Sequence, residues 1–130
     1  MADIQQSVTF QTSAGRLFEA LVEPTQHAAF TGAGATGDPV VGAAFSAWDE
    51  YISGRHLELV PGARIVQAWR AVDWPEGAWS IVTYRLTDVA GGLSRLDFEH
   101  LGVPADHAEA IAQGWHDHYW TPLSEWLATR

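Results

Sequence analysis

Four polar side chains occupy positions from which they could act on a bound molecule: Gln67, Tyr84, His100 and Tyr119. The first three alternate with apolar residues in strand-like segments, and Tyr119 lies in an apolar stripe of helical spacing. Apolar cavities use a few such groups to orient a ligand. His100 is also the candidate general base, because a neutral imidazole in an apolar cavity can accept and return a proton near neutral pH. The competing interpretation places Tyr84 and His100 in the core, hydrogen-bonded to each other or to the backbone.

Four further histidines do not predict a metal site. His116 and His118 are two residues apart, so on a regular helix their side chains point about 200° away from one another. His56 and His107 add no spacing that is typical of zinc ligands. We therefore expect no metal and no other cofactor.

Nucleophilic chemistry and paired-carboxylate chemistry also lack support. The sequence contains no cysteine and no lysine, which excludes thiol nucleophiles, sulfur-ligated zinc and Schiff-base chemistry. Asp49 and Glu50 are adjacent, so they point to opposite faces of any strand and do not suit paired acid and base work. The G-x-S-x-G motif of serine hydrolases does not occur.

A glycine-rich stretch, FTGAGATGDP, places Gly32, Gly34 and Gly37 in the G-x-G-x-x-G spacing of dinucleotide-binding loops. That motif requires a strand before the glycines and a helix after them. Here a helical pattern precedes them and an extended pattern follows. The order predicts a loop, which could form the rim of a ligand entrance, and not a nucleotide site.

Composition favours one globular domain over residues 1–130, with 47% hydrophobic residues and a net charge of -9. The negative charge and the absence of basic runs make nucleic acids and anionic membranes poor partners. The N-terminus has no signal-peptide pattern, and no apolar run is long enough to cross a membrane. We expect a cytoplasmic protein.

The periodicity predicts an α+β fold. A strand spans Ile4–Phe10, and a helix capped by Ser13 follows it; Pro24 either ends that helical turn or opens a second short helix that reaches about Phe30. Several strand-like runs separated by short turns fill residues 45–101 and predict an antiparallel meander. A long C-terminal helix begins near Asp106, which is placed to cap or charge its N-terminus. Pro122 should remove one backbone hydrogen bond from this helix, and Gly114 leaves room for a close approach.

Alternation divides the meander into two faces. The predicted inward set is Ile65, Gln67, Trp69, Val82, Tyr84, Leu86, Leu96, Phe98 and His100, and the outward set is Arg70, Thr83, Arg85, Arg95, Asp97 and Glu99. The inward face should pack against the C-terminal helix. The outward face should be solvated, with charge pairs between strands.

Seven tryptophans are more than one small core comfortably hides. Most should fill the walls of the core, whereas Trp74 and Trp79 flank a turn. A patch formed by exposed indoles would mark a cavity mouth or a protein contact, a homodimer included.

Three stretches resemble the START-like (SRPBCC) helix-grip superfamily and, within it, the family named for the C-terminal domain of the activator of the ninety-kilodalton heat-shock protein's ATPase. They are SGRHLELVPGARIVQAWR, GGLSRLDFEHLGVP and GWHDHYWTPLSEWL. The residues that carry the likeness are Gly54, Leu57, Glu58, Leu59, Pro61, Arg64, Ile65, Val66, Trp69, Gly92, Leu96, Phe98, His100, Gly102, Gly114, Trp115, Pro122 and Leu123. The resemblance implies a curved antiparallel sheet wrapped around a long helix, with a cavity between them that often holds an apolar molecule. Carriers, polyketide cyclases and co-chaperone domains share this architecture.

Three functional hypotheses follow. The first is a binding module for an apolar or aromatic small molecule, whose ligand-binding residues are Gln67, Trp69, Tyr84, Phe98, His100, Trp115 and Tyr119. The second is a chaperone-linked or stress-response interaction protein, which rests on the resemblance. The third is a cyclase or isomerase with His100 as its base.

Overall fold

A six-stranded antiparallel sheet forms where the sequence alternates apolar and polar residues. The computed structural model describes residues 1–129. The strands are β1 (Ala2–Phe10), β2 (Ala44–Ala47), β3 (Ile52–Val60), β4 (Arg64–Ala71), β5 (Ser80–Val89) and β6 (Leu93–Val103). Their order across the sheet is β1-β6-β5-β4-β3-β2. Strands β2 to β6 therefore form the predicted meander, and β1 pairs with β6 at the edge of the sheet. The predicted α+β fold is confirmed.

The two predicted faces are confirmed with one exception. All nine residues of the inward set are buried. On the outward face Thr83 is also buried, although it was expected to be solvated. It lies between Val66 and Glu99 on the neighbouring strands, and these larger side chains cover its short one.

Two short helices follow β1, namely α1 (Ala14–Val22) and α2 (Pro24–Thr31). The Ser13 hydroxyl accepts a hydrogen bond from the Arg16 backbone N–H at 3.2 Å, which confirms the predicted cap. Pro24 does not end α1 but begins α2, which is the second of the two predicted alternatives. The Glu23 carboxylate caps α2. Gly32 then ends α2 with a left-handed φ of 77°.

The glycine-rich stretch is a loop between α2 and β2, as its flanks predict. It is fixed to the neighbouring hairpin by an isolated bridge between Thr36 and Ser46. Asp49 adds a further link, because its carboxylate accepts a hydrogen bond from the Gly34 N–H at 2.7 Å. A helix therefore precedes the glycines and a strand follows them, which is the reverse of the dinucleotide motif.

The C-terminal helix is long but interrupted. A 3₁₀ turn (Ala105–His107) leads into α3 (Ala108–Trp115), a π-helical turn (His116–Trp120) and α4 (Thr121–Ala128). Pro122 explains the π turn, because it lacks an N–H and its ring crowds the carbonyl four residues earlier. The Thr121 N–H accordingly bonds the His116 carbonyl, five residues back. Asp106 lies in the 3₁₀ turn and makes no capping bond, so only the predicted charge at this end is present.

Within residues 1–129 no helix combines the length and the apolar composition that crossing a membrane would require.

Replacing Gly54 with alanine should destabilise the fold. Gly54 pairs with Phe45 on β2 and Trp69 on β4, and a methyl group there would lie 2.6 Å from the Phe45 ring and clash with the Ala68 carbonyl. We expect the free energy of unfolding, measured by urea denaturation, to fall by roughly 1–3 kcal/mol. Gly15→Ala is the control, because the nearest atom to a methyl group there is 3.9 Å away. Equal stability of the Gly54→Ala variant and the wild type would contradict this account.

Candidate functional site

A cavity of about 410 Å³ opens between the C-terminal helix, the β2–β3 hairpin and the β4–β5 connection; we call it the outer cavity. Its walls are largely apolar and aromatic, and polar groups stand among them. The lining residues are Trp48, Tyr51, Ile52, Trp69, Asp73, His107, Ala110, Ile111, Gly114, Trp115, His118 and Tyr119. Both its volume and its mixture of apolar walls with a few polar groups are typical of small-molecule sites.

The π turn arranges the aromatic wall that the helix contributes. On a regular α-helix, Trp115 and Trp120 would point about 140° apart, because they are five residues apart. The wider π turn brings both indoles to the inward face, where they stack at a centroid distance of 5.5 Å and an angle of 19°. Tyr119 is buried on the same face. Trp115 and the adjacent pair Tyr119 and Trp120 thus place aromatic side chains on two consecutive turns of the inward face.

A strained turn forms part of the rim. Trp48, Asp49 and Glu50 have φ values of 55°, 55° and 72°, a left-handed conformation that residues other than glycine rarely adopt. Two hydrogen bonds between Asp49 and the Gly34 backbone hold the turn. The Tyr51 hydroxyl also donates to Asp73 at 2.8 Å. The turn places the Trp48 indole against His118 and Tyr119 of the π turn.

A second, smaller space lies between the sheet, the two short helices and the glycine-rich loop; we call it the inner chamber. Its volume is about 20 Å³, which is room for one water or one small polar group. Trp69 and Tyr119 line both spaces and form the boundary between them. The other polar side chains of the inner chamber are His27, Thr36, Ser46, His56, Gln67 and Tyr84.

The titratable groups around the inner chamber are electrically neutral at pH 7. Burial lowers the pKa of His27 to about 4 and also lowers the pKa of His56. Burial raises the pKa of the Tyr84 and Tyr119 hydroxyls above the ordinary tyrosine value. His27 Nε2 lies 3.0 Å from the Tyr119 hydroxyl, so these two groups share a hydrogen bond. The chamber therefore offers neutral donors and acceptors and no formal charge.

His100 lies outside both spaces and is fully buried. Its Nδ1 accepts a hydrogen bond from the Trp115 indole N–H at 3.1 Å. The ring proton must then be on Nε2, which donates to the Ser80 hydroxyl at 2.8 Å; that hydroxyl donates to the Trp69 carbonyl. Burial lowers the pKa of His100 to about 3. Neither nitrogen has a free lone pair directed at a cavity, so the geometry gives no support to His100 as a general base.

The structure brings together five of the seven predicted ligand-binding residues. Trp69, Trp115 and Tyr119 line the outer cavity, and Gln67 and Tyr84 line the inner chamber together with Trp69 and Tyr119. Phe98 and His100 line neither space. The Phe98 ring packs against both Trp115 and Trp120, at centroid distances of 4.5 Å and 5.1 Å. That any of these residues binds a ligand stays a prediction.

Several residues of the site were missed in the sequence. His56 shares the strand parity of Ile52 and Gly54, so alternation along β3 could have found it. Gln6 shares the parity of Ile4 in the same way; it joins β1 to the helix by accepting from the Trp120 indole at 2.6 Å and donating to a helix carbonyl. His27 lies on a short helix with no clear apolar face, and no local signal marks it.

The remaining histidines and tryptophans have ordinary roles. His116 is exposed, and His118 lies at the outer cavity. Among the described residues, no three His, Asp or Glu side chains converge to hold a metal ion. Trp74 is buried against Trp69, whereas Trp79 is half exposed with Arg70 over its ring at 5.8 Å. The two tryptophans that flank the turn therefore have opposite environments.

Comparison with known sequences gives a consistent result. The sequence profile of the family described as "Activator of Hsp90 ATPase homolog 1-like protein" matches residues 11–128. The human protein "Activator of 90 kDa heat shock protein ATPase homolog 1" is 34% identical over 117 residues, which are 90% of this chain and 34% of the human protein. The chain spans about a third of the length of the curated relatives it matches.

Solved structures share the fold over nearly the whole chain. An HSP90 activator from Plasmodium falciparum aligns with a TM-score of 0.91 and 23% identity, covering 98% of this chain and 97% of that one. The Aha1 dimer from Colwellia psychrerythraea aligns with a TM-score of 0.81 and 16% identity, covering 96% and 95%. Both likenesses concern the fold.

The buried histidines should make the protein less stable in mild acid. The histidines of an unfolded chain titrate near pH 6.5, whereas burial lowers the pKa of His27 to about 4 and of His100 to about 3. Below pH 6.5 the unfolded chain binds protons that the folded chain does not bind, so stability that is present above pH 6.5 is lost as the pH falls. At about pH 5 each histidine should lower the free energy of unfolding by about 2 kcal/mol relative to pH 7.5.

Urea denaturation at these two pH values measures the effect. The variant His27→Gln should keep only the part of the pH dependence that His56 and His100 cause. A wild-type protein that is equally stable at both pH values would show that these histidines are not buried in the neutral form.

Proposed function

The chain belongs to the Activator of Hsp90 ATPase homolog 1-like family, and from that premise we propose that it binds an apolar or aromatic small molecule in the outer cavity. The observation that carries the proposal is the cavity itself, with its volume of about 410 Å³ and its wall of Trp48, Trp69 and Trp115. Aromatic walls favour flat apolar ligands, because ring faces contribute contact energy beyond the area that they bury.

The polar groups around the outer cavity are consistent with a neutral or weakly polar ligand. Asp73 is the only carboxylate that lines the cavity among the described residues 1–129, and it already accepts a hydrogen bond from Tyr51. Among residues 1–129, no arginine lines the cavity. An anionic ligand would therefore meet no formal positive charge in a protein whose net charge is -9.

A chaperone-linked role is the second candidate, and the named relatives favour it. The human relative is named as an activator of the ninety-kilodalton heat-shock protein's ATPase, and the structure from Plasmodium falciparum is described as an HSP90 activator. The test is the ATPase rate of an Hsp90 protein with and without this chain. An increased rate that saturates with the concentration of the chain would support this role, and an unchanged rate would count against it.

Filling the outer cavity from the helix should block ligand binding. Gly114 lines the cavity, and a methyl group there would meet only His118, at 3.7 Å. Gly114→Ala should therefore leave the cavity largely open, whereas the longer side chain of Gly114→Leu should occupy part of it. With the neutral fluorescent probe N-phenyl-1-naphthylamine, we expect the Kd to rise roughly tenfold or more in Gly114→Leu, equivalent to about 1.4 kcal/mol.

Gly114→Ala is the matched control, and its Kd should stay close to that of the wild type. Alanine and leucine both favour helix over glycine, so neither variant should unfold, and circular dichroism can verify this. Equal probe affinity of Gly114→Leu and the wild type would place the binding site elsewhere. The absence of saturable binding to the wild type would remove the support for a carrier of this ligand class.

A further inference from the structure

The inner chamber contains polar groups that lack partners. Gln67 is 4% exposed and Tyr84 is 3% exposed, yet within residues 1–129 neither the Gln67 amide nor the Tyr84 hydroxyl makes a side-chain hydrogen bond. The Nδ1 atoms of His27 and His56 are also buried without a partner among these residues. Buried polar groups are nearly always hydrogen-bonded, and those that are not deserve an explanation. Two buried nitrogens without a partner, together with the unbonded Gln67 amide and Tyr84 hydroxyl, surround one small space and indicate a place for a polar atom of a ligand.

The size of the chamber limits the part of a ligand that can enter it to one heavy atom. A volume of about 20 Å³ accommodates a single water molecule or one hydroxyl oxygen. Because Trp69 and Tyr119 line both spaces, a ligand that lies against them in the outer cavity has its end next to the chamber. A ligand with its body between the indoles would reach the chamber past these two side chains.

The chemistry of the lining selects the type of group. The Gln67 amide carries both a carbonyl acceptor and N–H donors, and the Tyr84 hydroxyl can donate and accept. A hydroxyl group also donates and accepts, so it can satisfy both kinds of partner, whereas a carbonyl group only accepts. In the part of the chain that the structure describes, no arginine, aspartate or glutamate lines the chamber. A carboxylate would lose its hydration there without gaining a charged partner.

We propose that the inner chamber is a specificity subsite that binds one neutral hydroxyl group at the end of an aromatic ligand, with Gln67 and Tyr84 as the residues that recognise it. This inference rests on the proposed function, since it concerns a ligand in the outer cavity. The ligand class is a flat, neutral aromatic alcohol or phenol. Trp69 and Tyr119 orient the ring, and Gln67 and Tyr84 hydrogen-bond its hydroxyl group in the chamber.

Two probes that differ only in the hydroxyl group test the proposal. We expect the wild type to bind 2-naphthol at least about tenfold more tightly than naphthalene, because a site built to hydrogen-bond a hydroxyl group rejects the analogue that lacks it. Affinities are measured by competition with N-phenyl-1-naphthylamine. The anion 2-naphthoate should bind more weakly than 2-naphthol.

Two variants assign the preference to the chamber. Tyr84→Phe removes only the hydroxyl group, and Gln67→Met keeps a similar side-chain length without the amide. Each should reduce the preference for 2-naphthol over naphthalene to about threefold or less while leaving the affinity for naphthalene at or above the wild-type value. Retained naphthalene binding also reports that the variant is folded.

Gln5→Met is the matched control. It makes the same chemical change as Gln67→Met at an exposed glutamine of β1 that lines neither space. Its preference for 2-naphthol should equal that of the wild type.

The outcomes separate the two proposals. If the wild type binds both probes with equal affinity, the hydroxyl subsite is wrong while the outer cavity remains a ligand site. If the preference survives in both chamber variants, or if 2-naphthoate binds most tightly, the subsite is also wrong. If neither probe binds, the proposed function fails and the subsite fails with it.

Discussion

The hydrogen bond from the Trp115 indole to His100 Nδ1 fixes the position of the helix on the sheet. It joins the end of α3 to the middle of β6 inside the core, where no solvent competes for either group. The bond requires a neutral imidazole with its proton on Nε2, and the Ser80 hydroxyl supports that tautomer. The depth of Trp115 in turn determines where Tyr119 and Trp120 lie, and hence where the packed core stops and the outer cavity begins.

The buried polar groups near the Trp115–His100 hydrogen bond fall into two classes. His100, Ser80 and Trp115 use one another and the Trp69 carbonyl, which leaves no hydrogen-bonding capacity directed at a ligand. Gln67 and Tyr84 come from the same inward face but end at the inner chamber without protein partners. Satisfied groups rigidify a core, whereas unsatisfied groups are costly unless something binds them. The first class therefore supports the architecture, and the second class is where recognition is proposed.

The rim of the outer cavity depends on a different constraint. Three consecutive left-handed residues at 48–50 are unfavourable by themselves, and such a turn persists only where its surroundings over-determine it. The glycine-rich loop provides that restraint through the backbone of Gly34, and Asp73 holds the hairpin from the other side through Tyr51. A stretch whose spacing imitates a nucleotide motif thus contributes to the shape of an aromatic cavity. Its glycines accommodate the close approach of the hairpin, since a methyl group on Gly34 would lie 2.8 Å from the Asp49 carboxylate.

The sequence by itself determined the α+β architecture, the faces of the sheet and the aromatic stripe of the helix, because these depend on periodicities that short segments express locally. Strand parity placed Gln67, Tyr84 and His100 on the inward face, and this face is buried. Parity could not decide which of them would be hydrogen-bonded within the protein. His100 is bonded to Ser80 and Trp115, while Gln67 and Tyr84 line the inner chamber. That outcome depends on how far the helix penetrates and on the π turn before Pro122, both of which are set by contacts between segments distant in the sequence. Only the tertiary structure therefore separated the residues that complete the core from those that surround a cavity, since a hydrogen-bond partner across the core leaves no trace in the local pattern.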